Sequence, residues 1–265
     1  MYAFSYYRAQ SLDDAARHLA SDSEAKILAG GQTLLPALKQ RLAHPSEVID
    51  LGGLAELSGI REEGDAIVVG AMTPHGAVAA SELVKARIPA LAALAESIGD
   101  PQVRNRGTIG GSIANNDPAA DYPAGLVGLG ATVRTNRREI AADDFFTGMF
   151  ETALDEGEII TAVSFPVPQR AGYAKFPNPA SRYAIVGVMA AQGPAGTRVA
   201  VTGAGPCVFR VAAMEEALAR DFSPAALDDI TVPADDLNAD IHASAEYRAH
   251  LVTVMAKRAV AAATG

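Results

Sequence analysis

Two glycine-bearing stretches, Ala29-Gly30-Gly31-Gln32-Thr33 and Thr108-Ile109-Gly110-Gly111-Ser112, hold the residue types best suited to an anionic ligand. Adjacent glycines let backbone N–H groups approach a phosphate oxygen because no Cβ intervenes. The hydroxyls of Thr33, Thr108 and Ser112 stand ready as further donors. One Gly-Gly pair alone is equally what a surface turn needs. Two such stretches from separate parts of the chain suggest one extended anion, such as a dinucleotide pyrophosphate, gripped from both sides. Neither is G-x-G-x-x-G or G-x-x-x-x-G-K-[ST], so neither a Rossmann nor a P-loop fingerprint is present. The five histidines are scattered without metal-ligand spacing. No nucleophile triad or carboxylate pair stands out, so binding rather than acid–base chemistry is expected.

The elements around these stretches follow from local pattern. An apolar run over 25–29 reads as a strand, the glycines as a tight turn, and Leu34-Leu35-Pro36 as the opening of a helix that continues through Arg41. The second stretch lies within residues 99–123, rich in glycine, hydroxyls and asparagine, and is expected as an exposed loop outside the core. Before it come a strand at 4–7, a helix capped by Ser11, a strand at 48–50 and a hairpin of 60–62 with 66–70. Thr73-Pro74 is expected to cap and open a helix, and another runs over 88–97. After it come a helix at 122–129, a hairpin of 132–135 with 138–140, and a strand at 159–165 ending at Pro166 and Pro168. The remainder reads as antiparallel strands at 173–176, 185–191 and 198–202, with helices at 211–219 and 246–263.

The chain has 265 residues and is 49% hydrophobic, enough to bury a sizeable core. Its 22 basic and 31 acidic residues give a formal charge of −9, which argues against nucleic acid and against an anionic membrane surface. The single Cys207 excludes a disulfide framework and any thiolate-held iron–sulfur cluster within the chain. No basic region precedes an apolar run at the N-terminus, and no apolar stretch reaches ~18 residues. A cytoplasmic protein without stable membrane insertion is the expectation.

Ala29 to Thr33, together with Arg104-Asn105-Arg106-Gly107-Thr108-Ile109-Gly110-Gly111-Ser112 and Asp117-Pro118-Ala119-Ala120-Asp121, resembles the FAD-binding medium subunit of the molybdenum hydroxylases, of the carbon monoxide dehydrogenase and xanthine dehydrogenase type. The resemblance covers nearly the whole chain. It implies an α+β protein with two small α/β subdomains (1–53 and 54–168) in a PCMH-type FAD-binding fold. A C-terminal antiparallel sheet with helices (169–265) would follow, with FAD in the cleft between.

The resemblance places Ala29, Gly30, Gly31, Gln32, Thr33, Thr108, Ile109, Gly110, Gly111 and Ser112 on the pyrophosphate and ribityl chain, through their backbone amides. It gives Asp121 a hydrogen bond to FAD, sets Ile159 or Ile160 and Lys175 beside the isoalloxazine or adenine, and lays Tyr183 over one flavin face. The plain alternatives are a turn aspartate, an exposed strand lysine and a packing tyrosine. The implied role is an electron relay. FAD takes electrons from 2Fe–2S clusters of a small subunit, fed by a large molybdopterin-binding subunit, and passes them to NAD, quinone, cytochrome or oxygen. A doubled heterotrimer is implied. Two other readings stay open: a stand-alone flavin oxidoreductase, and a non-catalytic nucleotide-binding or assembly subunit.

Overall fold

Val48 and Ile49 are enclosed almost completely, which puts Glu47–Asp50 at the centre of a three-stranded parallel sheet between Ser5–Arg8 and Lys26–Leu28. The computed structural model describes residues 1–265. Parallel neighbours require crossover connections, and helices Leu12–Ser21 and Leu34–Lys39 supply them. The Ser11 hydroxyl caps the first by accepting from the Asp14 N–H at 3.1 Å.

A second sheet is antiparallel, in the order Ile60–Glu63, Ala66–Gly70, Ile160–Pro166, Thr132–Thr135, Glu139–Ala141. Between its second and fourth strands the chain lays down six helices, ending with Tyr122–Leu129, every residue of which is buried. That helix packs on a third, antiparallel sheet formed by Arg170–Pro177, Ala184–Gly193, Gly196–Thr202 and Phe209–Arg210. A Cβ on Gly128 would lie 2.5 Å from Met189 Cγ, so glycine permits the close approach. Helix Ala245–Thr264 covers the third sheet's other face, resting its backbone on Gly172. The fold is α+β. No helix is long and apolar enough to cross a membrane.

Residues 99–123 depart from the expected exposed loop. Pro101–Arg104 and Ile109–Asn115 are helical, with Asp100 and Thr108 as side-chain caps. Ile109 and Ile113, one helical turn apart, are fully buried, so the stretch contributes to the core after all. Thr73 does not cap the next helix; Pro74 occupies the cap position, and the Thr73 hydroxyl donates to the Gly59 carbonyl at 3.1 Å.

Candidate functional site

The Gly30 backbone rests directly on Arg106 and Gly107, which lead into the second glycine stretch. A Cβ there would lie 2.0 Å from the Arg106 carbonyl oxygen and 2.8 Å from Gly107 Cα. Beside this contact, a Cβ on Gly111 would stand 3.6 Å from that of Ala29. The two stretches thus form one continuous floor, and a cleft of about 620 Å³ opens over it. Its walls come from all three sheets: Lys26, Leu51 and Met72 near the first, Glu158 and Ile160 from the second, and Ser181, Arg182 and Tyr183 from the third.

The two stretches offer different chemistry. The N–H groups of Gly30, Gly31, Gln32 and Thr33 find no acceptor within the chain, and Gly31 takes the left-handed conformation (φ +74°) that turns successive amides toward one side. A row of unsatisfied donors in a concave surface fits the oxygens of a phosphate or pyrophosphate. In the second stretch four of the five amides, all but that of Thr108, are already used. Ile109 donates to the Thr73 carbonyl (3.2 Å), Gly110 to the Ala71 carbonyl (2.8 Å), Gly111 to the Thr108 hydroxyl (3.1 Å) and Ser112 to the Thr108 carbonyl (3.0 Å). The expectation that both loops present rows of backbone donors is therefore corrected for the second, where only the Thr108 amide lacks an acceptor within the chain. The second supplies a close-packed wall, with the Ser112 hydroxyl and Asn115 amide as free polar groups.

Of the expected site residues, Ala29 to Thr33, Thr108, Gly110, Gly111, Ser112, Asp121, Ile160 and Tyr183 line the cleft. Ile109 points into the core instead, because its place in the first turn of a buried helix turns its side chain to the sheet. Lys175 lines an adjoining recess with Ser97, Tyr173 and Arg182. Far from being an exposed strand lysine, it is only 6% exposed and lies 2.9 Å from the Asp121 carboxylate. The Tyr173 hydroxyl donates to the same carboxylate at 2.5 Å. Burial raises the Asp121 pKa, while Lys175 and Tyr173 oppose that shift. Tyr183 is the one phenol on the cleft wall and is 45% exposed. Burial and the nearby Asp117 and Asp121 raise its pKa.

Sequence reasoning missed His75 and Glu158. The His75 imidazole packs on Gly107, its Nδ1 is buried without a partner, and burial together with Arg104 lowers its pKa to about 4. It is neutral at pH 7. Glu158 accepts from Arg138, the Asp155 N–H and Thr135, which hold its pKa down to about 2 despite burial. Nothing adjacent in sequence marks either residue. No group of three or more His, Cys, Asp or Glu side chains is placed to hold a metal.

Residues 2–168 match the family model described as the FAD binding domain in molybdopterin dehydrogenase. The nicotine 6-hydroxylase medium subunit of Paenarthrobacter nicotinovorans is 38% identical over 272 residues, covering 97% of this chain and 96% of that one. Among solved structures, carbon monoxide dehydrogenase from Hydrogenophaga pseudoflava superposes with a TM-score of 0.90 at 37% identity, covering 99% of this chain and 98% of the other. Quinoline 2-oxidoreductase from Pseudomonas putida 86 superposes with a TM-score of 0.89 at 30% identity, covering 100% and 98%.

Proposed function

On the premise that the chain belongs to the FAD-binding family of the molybdopterin dehydrogenases, we propose that its cleft holds FAD and that it works as the electron-transferring flavin subunit of a molybdenum hydroxylase complex. The observation that carries this reading is the run of four unsatisfied amides at Gly30 to Thr33, pressed against a second glycine stretch. FAD, when bound, supplies a centre that takes up electrons singly or in pairs. The chain's own task is to bind, orient and shield it.

In this arrangement the Gly30 to Thr33 amides donate to the pyrophosphate, and Ser112 and Asn115 offer hydrogen bonds to its polar neighbours. Ile160, Leu51 and Met72 give the ring systems apolar walls that exclude water. Asp121, held by Lys175 and Tyr173, is a fixed acceptor at the cleft wall. Neutral His75 adds no charge beside the second stretch. Relay chemistry needs no nucleophile or general base in this chain.

The reading extends to partners: a large molybdopterin-binding subunit and a small 2Fe–2S subunit, in a doubled heterotrimer located in the cytoplasm. It also takes residues 1–53, 54–168 and 169–265 as three domains. The test is to express the chain with and without its partner subunits and record the absorption spectrum. Flavin absorbance that is lost when Gly31 and Gly111 are both replaced by bulky residues supports the site. Colourless wild-type protein, or retained flavin in the double variant, refutes it.

A further inference from the structure

The loop between strands Arg170–Pro177 and Ala184–Gly193 carries the only phenol in the cleft, and it is tied down in a way that its sequence does not announce. Within the loop, the Arg182 N–H donates to the Asn178 carbonyl (2.8 Å) and the Asn178 N–H to the Tyr183 carbonyl (2.7 Å). Buried Asn178 also accepts from the Ala180 and Ser181 amides through its Oδ1. Arg182 sits at φ +63°, a conformation that costs a non-glycine residue about 1–2 kcal/mol and persists only where surrounding contacts impose it.

Those contacts come from the strand that leads into the loop and from the segment ahead of the second glycine stretch. Lys175 Nζ donates to the Arg182 carbonyl (3.0 Å), to the Ser97 carbonyl (2.8 Å) and to Asp121. The Arg182 guanidinium donates to the Gly99 carbonyl (3.0 Å). Ser97 and Gly99 end the segment that leads into the second glycine stretch, and Gly99 itself lines the cleft. The loop of the third sheet is therefore fastened to the helical layer of the second through two cations.

We propose that Lys175 and Arg182 form a clasp that positions Tyr183 at the cleft mouth, so that Lys175 acts on the cofactor through the tyrosine and sets how openly small oxidants reach the flavin. The inference rests on the cleft being the FAD site. All of the Lys175 N–H groups are engaged by protein acceptors. Its position, exposed to the extent of only 6%, suits a fastener more than a ligand to the cofactor. The clasp also explains an arginine held at positive φ, since its carbonyl and its side chain are each anchored by a separate contact.

The test uses the full chain loaded with FAD and compares Tyr183→Ala, Arg182→Met, Lys175→Met and the pairwise doubles. Two quantities are read: the FAD dissociation constant, and the rate at which photoreduced flavin is reoxidised by dissolved oxygen. One clasp bond from a charged donor controls the fastened population by about tenfold, so Arg182→Met should reoxidise about tenfold faster than wild type. Lys175→Met should do so too, each approaching the Tyr183→Ala rate. Adding either change to Tyr183→Ala should give no further acceleration. Arg182→Met, on an exposed side chain, keeps the test decisive if Lys175→Met fails to fold. Reoxidation at the wild-type rate in Arg182→Met, or additive effects in the doubles, overturns the clasp. Loss of FAD in Lys175→Met with wild-type behaviour in Arg182→Met overturns it also, and makes Lys175 a direct ligand. Wild-type chain that binds no FAD refutes the assignment of the cleft and not the clasp geometry.

Discussion

Replacing Gly30 by alanine tests the contact on which the cleft floor depends. The added Cβ would lie 2.0 Å from the Arg106 carbonyl oxygen and 2.7 Å from its carbon, about 1.4 Å short of ordinary contact. Both neighbours are backbone, so no side chain can swing aside and the two glycine stretches must part. Overpacking of this kind costs about 1–3 kcal/mol. The unliganded chain can relieve that strain by opening the floor, but ligand binding must impose it again. With each 1.4 kcal/mol worth about tenfold, FAD affinity should fall about 5- to 150-fold. Gly64→Ala is the control. Gly64 sits at φ +59°, an added Cβ there would meet nothing within 4 Å, and the residue does not line the cleft. It should lose about 1–2 kcal/mol of stability through backbone strain alone and bind FAD normally. The assay is titration of FAD-depleted protein followed by quenching of flavin fluorescence, with thermal melts in parallel. Wild-type affinity in Gly30→Ala, or equal loss in both variants, would refute the reasoning.

Two acid transitions should be separable by mutation. His75 titrates near 4 in the folded chain against an ordinary 6.5, so the unfolded chain takes up the proton first and stability falls as pH drops from about 6.5 to about 4; His75→Gln should flatten that part of a Tm–pH profile. Glu158, held near 2 by Arg138 against an ordinary 4.5, contributes stability that is present above about pH 4.5 and is lost toward pH 2. Glu158→Gln should therefore lower stability at pH 7 and shrink the difference from wild type below pH 3. Asn116, at φ +42°, donates from its amide nitrogen to the Gly148 and Glu151 carbonyls at 2.8 and 2.7 Å. Asn116→Asp sets a carboxylate against both carbonyls and should lower Tm more than Asn116→Gly, which loses the bonds but keeps the backbone; the Gly change costs about 1–3 kcal/mol by chemical denaturation.

How much of the molecule could be read in advance depended on how local each cause is. Ser11 as a helix cap, the glycine turn after Lys26–Leu28 and the hairpin joining Ile60–Glu63 to Ala66–Gly70 are settled by residues a few positions apart, and the sequence showed them. The polar average of residues 99–123 concealed Ile109 and Ile113, whose four-residue spacing is itself a helical signal and whose burial anchors the second glycine stretch. The amides of Ile109 and Gly110 meet the carbonyls of Thr73 and Ala71, segments whose approach no short-range rule gives, so glycine content alone could not tell an open donor row from an occupied one. The same reason hid the role of Lys175. Tyr173 and Lys175 stand two apart on one strand and so share a face. What they face is Asp121 at the head of a helix laid down much earlier, and a lysine beside a buried carboxylate is recognisable only once that helix and that strand have been brought together.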